Sequence, residues 1–350
     1  MKAVQLNKEQ KFEFVNIEQA ELGANDVRVK VHATGICGSD THKIATGWKY
    51  DLPAVMGHEF SGEIVEIGNG VTNRKIGDRV VGMPLIPCRE CLYCEQGHYG
   101  MCEDYKMIGT HFNGGFGENL VLPAVNTLDI GDMDYEQAAL IEPVAVAMHA
   151  VLNIGVELGD TAVVLGSGAI GMFAMKCLEL AGAKEIIAVD IDNNTLEFVK
   201  GHGATKTINS LEEDLEAKVM EYTNGLGADI VLECAGSKIT QEQALLLAKK
   251  HGKIGYVGIA YADVMMHERA FENIFRREYT LKGFWNSYSA PFPGRAWTNV
   301  IDFVNNGRLN LDGIVSHRFA LNQTAEAFDM ILSRKEPYNK VMILPQEVAK

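Results

Sequence analysis

Residues 160–194 read DTAVVLGSGAIGMFAMKCLELAGAKEIIAVDIDNN, and no other stretch narrows the fold of this chain as far. TAVVLG is short and wholly apolar, the pattern of a parallel strand buried on both faces. Gly166, Gly168 and Gly171 follow at G-x-G-x-x-G spacing, then a helical period over MFAMKCLELAGA, then a second apolar strand, EIIAVD. Each glycine has its own reason: Gly166 permits a tight turn, Gly168 lets backbone approach a pyrophosphate, and Gly171 lets helix pack on strand. Ala169 and Ile170 open the helix, whose unpaired N–H groups face the anion. Asp190 ends the second strand nineteen residues after the last glycine, placed to accept hydrogen bonds from both ribose hydroxyls. It would repel a 2′-phosphate, and IDNNTLEFVK has no Arg to receive one, so the pattern implies NAD rather than NADP. A ligand-free glycine turn explains the glycines but not the order strand, turn, helix, strand, Asp.

The alternation continues through ADIVLECAG, a helix QEQALLLAKK, GKIGYVGIA and YTLKGFW. That predicts an α/β domain over residues 150–284, a Rossmann-type doubly wound parallel sheet of six strands. Residues 1–149 are rich in Gly and short alternating strands, and residues 285–350 hold AWTNVIDFVNNG, TAEAFDMILS and a strand KVMIL that is expected to return to the first domain. A length of 350 residues suits two domains. No leader-like segment or membrane-length apolar run is seen, so a cytoplasmic protein with reduced thiols is expected. The formal net charge of −14 excludes nucleic acid and an anionic membrane as partners, and gives no general help with an anionic substrate. Acidic runs such as LEEDLE read as solvated helix faces.

Four of the seven cysteines fall within PCRECLYCEQGHYGMC as Cys88-x2-Cys91-x2-Cys94-x7-Cys102. Repeated Cys-x-x-Cys turns with a fourth Cys after a short loop build a tetrahedral sulfur set for zinc, and four sulfurs leave no open position. Such a metal shapes a loop and does no chemistry. A disulfide pair is disfavoured by the reducing compartment, and four unrelated thiols by the clustering.

A second set is dispersed. In VRVKVHATGICGSDTHK, Val27, Val29 and Val31 alternate as one face of a strand, which runs into a turn bearing Cys37, Ser39, Asp40 and His42. MGHEFSGEIVEIG places His58 and Glu59 at the mouth of another strand, and ALIEPVAVAMHA sets Glu142 in an apolar run where a carboxylate needs a partner. Singly, Cys37 reads as a small core residue, His58 as a turn histidine and Glu142 as a helix-start acid. Together, one sulfur, one imidazole and one carboxylate are the donors of a catalytic zinc with its fourth position open.

GICGSD, GHEFSGEIVEIG, the four-cysteine stretch, GGFGENLVLP, IEPVAVAMHA and VLGSGAIG, in this order over nearly the whole chain, resemble the zinc-dependent medium-chain dehydrogenase family. The resemblance implies a GroES-like, mostly β catalytic domain (residues 1–149 and 285–350) carrying both zinc sites, joined to a Rossmann domain (residues 150–284), with the active site in the cleft between. The acid of IEP resembles the polyol dehydrogenase branch, where alcohol dehydrogenases often carry Cys. It implies a catalytic zinc on Cys37, His58 and Glu142 with Glu59 as alternate ligand, and a structural zinc on Cys88, Cys91, Cys94 and Cys102. A secondary alcohol on the catalytic zinc gives its proton to Ser39, His42 passes it to solvent, and hydride goes to C4 of NAD⁺; Asp40 is a structural acceptor. KGFWNSYSAPFPGRAW and PLIPC resemble the galactitol-1-phosphate 5-dehydrogenase subgroup, implying oxidation of galactitol 1-phosphate to tagatose 6-phosphate. His42 resembles instead the sorbitol and butanediol enzymes, and threonine is a further alternative substrate. Arg276, Arg277, Lys282 and Arg295 are candidate phosphate partners whose ordinary reading is surface cations. The family implies a homodimer or homotetramer. Readings of another kind, a non-catalytic zinc- and NAD-binding protein or a zinc-free quinone reductase, have no use for Cys37, His58, Ser39 and His42 in the first case and for the cysteine loop in the second.

Overall fold

The structure is a computed structural model and describes residues 1–349. It divides into two units, Met1–Glu142 with Tyr288–Lys350, and Pro143–Ser287. The first boundary falls inside the helix Ile141–Ile154.

In the unit Pro143–Ser287 six parallel strands form one sheet in the order Lys206–Asn209, Glu185–Asp190, Thr161–Leu165, Ala228–Glu233, Ala248–Tyr256, Thr280–Gly283. The chain starts at Thr161–Leu165, winds outward one way, then returns to wind the other way. The switch point therefore lies at that strand's carboxyl end, where open α/β sheets bind ligands. Val163, Leu165, Ile187, Val189, Ile208 and Val231 are all within 2% of complete burial, which is why these strands carry no polar alternation. Every residue of the edge strand Thr280–Gly283 is exposed.

In the other unit a seven-strand sheet is built on the long strand Asp26–Gly35. Val27, Val29 and Val31 are fully buried while the residues between them are half-buried, so the alternating sequence packs one face on Phe60, Ile64, Val80 and Leu120. Each such side chain contributes about 1.5–3 kcal/mol by leaving water. The strand pairs antiparallel with Glu59–Ile67 along its length, and its last residues pair with Lys340–Leu344 on the other edge. The C-terminal strand thus completes the sheet that the N-terminal half begins. Among the described residues no helix is long and apolar enough to cross a membrane.

Candidate metal centres and nucleotide site

Strand pairing assembles the dispersed set. Gly35 lies opposite Glu59 and Thr34 opposite Phe60, so the end of one strand and the start of the next are side by side. Two residues past Gly35, Cys37 caps the helix Gly38–Thr46, its carbonyl accepting from the Asp40 and Thr41 N–H groups at 3.0 and 3.3 Å. A helix N-terminus favours negative charge on a donor placed there. Cys37, His58 and Glu59 each offer one donor atom, and these atoms lie within 4.8 Å of one another.

The surrounding charges orient this group. His58 Nδ1 is 3.3 Å from Asp40 Oδ2, and Asp40 is completely buried. A proton held on Nδ1 by that carboxylate would leave Nε2 for a metal, as with carboxylates behind ligand histidines. Burial alone would raise the Asp40 carboxyl, but the His58 charge, its hydrogen bond and Lys43 together hold it below the usual range. Burial would likewise lower His58, but Asp40 first and Cys37 second carry it well above an ordinary imidazole. A metal ion bound at the ring would take the place of a proton there.

The carboxylate of Glu59 contacts the ammonium of Lys340, the two being 1% and 3% exposed. Lys340 also donates to the Ile36 carbonyl at 3.1 Å. Burial opposes its charge, but Glu59 and then Cys37 keep its pKa raised. Gly35 is the residue that makes room: a Cβ there would stand 2.1 Å from Glu59 Oε2 and 2.8 Å from Lys340 Cε. Glu142 is buried at the start of its helix and lies outside the three-donor group. Burial pushes its carboxyl up to about 7, with His58 and Lys340 pulling down and Glu59 and Asp40 pushing up, so it faces the same cluster. Glu59, expected as the alternate ligand and adjoining His58 at the strand mouth, belongs to the three-donor group with the sulfur and the ring, and Glu142 is not part of that group. Ser39 Oγ donates to Cys37 Sγ at 3.3 Å, and His42 lies one turn along the same helix, whose i and i+3 positions share a face. Two charged residues escaped the sequence reading. Lys340 had one signal, a lysine heading the otherwise apolar strand KVMIL; Lys43, 3.5 Å from Asp40 Oδ1, had none. The donor set of soft sulfur, imidazole and carboxylate, buried and converging, fits zinc.

The four-cysteine loop is compact. Its sulfur atoms lie within 4.8 Å of one another, with Cys88 Sγ 3.9 Å from that of Cys94 and 3.4 Å from that of Cys102. Zinc–sulfur bonds of about 2.3 Å in a tetrahedron give edges of about 3.8 Å. Backbone N–H groups of Cys88 and Cys91 donate to Cys102 Sγ and Cys88 Sγ at 3.2 and 3.4 Å, as thiolates require. Burial pushes Cys94 up to about 12, while the backbone N–H groups of Glu103 and Cys94 bring Cys91 down to about 6. Four thiols so placed cannot all ionise without a cation among them.

In the other unit, the turn after Thr161–Leu165 leads to the helix Ala169–Ala181, capped by Gly168. Gly166 has φ +88°, and a Cβ there would be 2.7 Å from that of Ala235. A Cβ on Gly171 would be 1.9 Å from the Gly166 carbonyl oxygen, whereas one on Gly168 would enter open space. That open cradle at the helix N-terminus fits a pyrophosphate. Asp190 Oδ2 accepts from Ser167 N–H at 2.7 Å, and Oδ1 accepts from Ile191 and Asp192 N–H at 2.7 and 3.1 Å. A carboxylate has about four acceptor positions. Three are filled by backbone N–H groups, which orient the carboxylate at the end of its strand. Of the candidate phosphate partners, Arg276 pairs with Glu272, and Arg277 and Lys282 donate to the carbonyls of Ala248 and Asn153. Arg295 begins the helix Arg295–Asn305.

Known proteins share this arrangement. Residues 23–132 match the alcohol dehydrogenase GroES-like domain and residues 169–306 the zinc-binding dehydrogenase domain. The chain is 34% identical to the galactitol 1-phosphate 5-dehydrogenase of Escherichia coli, over 92% of this chain and 93% of that one. It is 30% identical to the sorbitol dehydrogenase of Bacillus subtilis, over 99% and 97%. The crystal structure of galactitol-1-phosphate dehydrogenase from Escherichia coli superposes with a TM-score of 0.93 at 32% identity, covering 99% of this chain and all of that one. A GroES-like unit with two converging donor sets, a parallel six-strand sheet with its glycine turn, and likeness over the full length have one common reading: the chain belongs to the zinc-dependent medium-chain dehydrogenases, on their polyol dehydrogenase branch.

Proposed function

We propose that this enzyme oxidises a secondary alcohol of a polyol phosphate to the ketose with NAD⁺, and that galactitol 1-phosphate, giving tagatose 6-phosphate, is its substrate. The observation that carries the alcohol oxidation is the group of half-buried Cys37 with buried His58 and Glu59, one sulfur, one nitrogen and one oxygen donor within 4.8 Å. The likeness to the galactitol 1-phosphate enzyme of Escherichia coli supports the substrate. Zinc bound there, with Glu142 in its second rank of charge, supplies a Lewis acid that lowers the pKa of the substrate hydroxyl. NAD bound at Gly166, Gly168, Ala169, Ile170, Gly171 and Asp190 supplies the hydride acceptor.

The chain's own residues move the proton. Ser39 Oγ, already directed at Cys37 Sγ, is placed to take the hydroxyl proton, and His42 one helical turn on is placed to pass it to solvent. Asp40 holds the His58 ring in the orientation that ligation needs. Cys88, Cys91, Cys94 and Cys102 hold a second zinc that fixes their loop. Unpaired thiols in that number suit the reducing cytoplasm. The exposed edge strand Thr280–Gly283, with Leu281, Phe271 and Phe275 at 40–59% exposure, supports pairing with a second copy and hence a homodimer or homotetramer.

NAD⁺ reduction measured side by side with galactitol 1-phosphate, galactitol, sorbitol, xylitol, butanediol and threonine tests the assignment. The phosphorylated polyol is expected to give the highest kcat/KM. Equal rates with free sorbitol would favour the second reading, to which His42 points, a dehydrogenase of free polyols.

A further inference from the structure

The catalytic unit carries a cleft of about 450 Å³ whose wall includes Lys49, Tyr50, Lys106, Thr110 and His111. We propose that this cleft receives the phosphoryl group of an acyclic polyol monophosphate while a secondary hydroxyl farther along the chain reaches the Cys37 group; the proposal rests on the polyol dehydrogenase reading above.

The donors suit a phosphate. Lys49 and Lys106 are ammonium groups, and Thr110 and Tyr50 bring hydroxyls. His111 Nδ1 accepts the Met107 N–H at 3.0 Å, which places the ring proton on Nε2 as a further donor. Its ring is braced edge-on by Tyr50, the centroids 5.5 Å apart. Asp51 also lines the cleft and Lys106 is shared with Asp104 at 2.6 Å, so the lining is not a bare cationic patch. A phosphate monoester, with nearly two negative charges and three acceptor oxygens, competes for such exposed lysines where a neutral hydroxyl does not. The local cations matter because the chain's net charge of −14 repels an anion. At a screening length of about 8–10 Å, only charges beside the phosphate can outweigh that field.

The cleft adjoins the helix Gly38–Thr46, whose N-terminus carries Cys37, and side-chain contacts lead from its wall to the metal donors. Thr110 Oγ1 is 3.4 Å from Lys43 Nζ, which is 3.5 Å from Asp40 Oδ1, and the other oxygen of Asp40 faces His58 Nδ1 at 3.3 Å. Lys43 is held over the rings of Trp48 and Tyr50 and lies one turn from Ser39 on the same helix. A phosphoryl group anchored at Thr110 therefore sits beside the helix that carries Lys43 and Ser39 and begins after Cys37.

The test uses the zinc-loaded full chain. NAD⁺ reduction is measured for a hexitol 1-phosphate and for the same hexitol, in the wild type and in Lys49→Ala/Lys106→Ala, with Lys49→Gln as a milder variant. The wild type is expected to prefer the phosphate ester by about 30-fold or more in kcat/KM, and the double variant to lose most of that preference through KM. Inorganic phosphate, titrated by ³¹P NMR, is expected to bind the wild type and to bind the variants more weakly. A wild type that treats both hexitols alike and binds no phosphate overturns the cleft assignment while leaving the dehydrogenase reading intact. A preference that survives both substitutions also overturns it. A wild type inert toward every polyol, yet binding phosphate through these lysines, upholds the cleft and overturns the dehydrogenase reading.

Discussion

The two metal-donor groups of the catalytic unit are built on opposite plans. The four cysteines come from one stretch of fifteen residues, are chemically alike, and leave a metal no free position. Cys37, His58 and Glu59 come from two strand ends, differ in kind, and sit among buried charges: Asp40, Glu142 and Lys340. A closed set satisfies its metal by itself. An open set leaves the metal's charge partly unanswered and must surround it with groups whose own charges adjust. The first plan serves structure, and the second leaves room for a substrate oxygen.

Removing one sulfur from each group breaks the comparison most sharply. Cys37→Ala is expected to lose one zinc of two and to lower kcat/KM by about a thousandfold or more, since Lewis-acid stabilisation is worth several kcal/mol and each 1.36 kcal/mol is tenfold. Cys94→Ala is expected to lose the other zinc and to lower Tm, while keeping activity in the fraction that remains folded. Metal analysis, thermal melts and NAD⁺ reduction on the same preparations decide it. A Cys94→Ala protein that is folded but inert, or a Cys37→Ala protein that retains two zinc ions and activity, would erase the distinction.

Lys340 sharpens the comparison further. It is the counter-charge of Glu59, and both are buried. Lys340→Met leaves that carboxylate unpaired, and breaking a buried pair from one side costs about 3–5 kcal/mol. Zinc replaces the missing positive charge, so the loss should be largest with a chelator present and should shrink when zinc is restored. Denaturant unfolding in both states measures the difference. An equal loss in both would show that Lys340 answers to packing alone.

The unequal legibility of the two groups has the same origin. Local spacing exposes the cysteine loop because its geometry is set by turns of three residues. The glycine turn was legible for a similar reason: strand, turn, helix and Asp190 lie within one unit, whose buried strands carry apolar runs. The open group was legible only as a list of suspicious residues. Which carboxylate stands nearest depends on the pairing of Gly35 with Glu59, and the role of Lys340 depends on a strand some three hundred positions later joining that sheet. Register and strand order are non-local, so spacing alone does not tell which acid joins Cys37 and His58, nor what Lys340 faces. Asp190 shows another limit. Its identity was readable, but not that three backbone N–H groups would occupy it.

The smallest expected effect concerns pH and separates the groups by the acid in the second rank. Burial raises the Glu142 carboxyl to about 7 from its ordinary value near 4.5. The folded, metal-free chain then binds more protons than the unfolded chain between these values, so its stability falls as pH rises through that window. Two to three pH units correspond to roughly 3 kcal/mol, an upper figure because neighbouring charges titrate with it. The stabilising, protonated form is complete below about 4.5 and lost above about 7. Glu142→Gln keeps the shape without the titration, and unfolding of metal-free wild type and variant from pH 5 to 8 should show the wild-type slope flattened in the variant. Zinc favours the carboxylate and should flatten the wild-type slope in the same way, whereas filling only the cysteine loop, as in Cys37→Ala, should leave it steep. Identical slopes for all of these proteins would mean that Glu142 does not sense the open centre, and the division between a self-contained site and a charge-coupled one would fail at the residue meant to connect them.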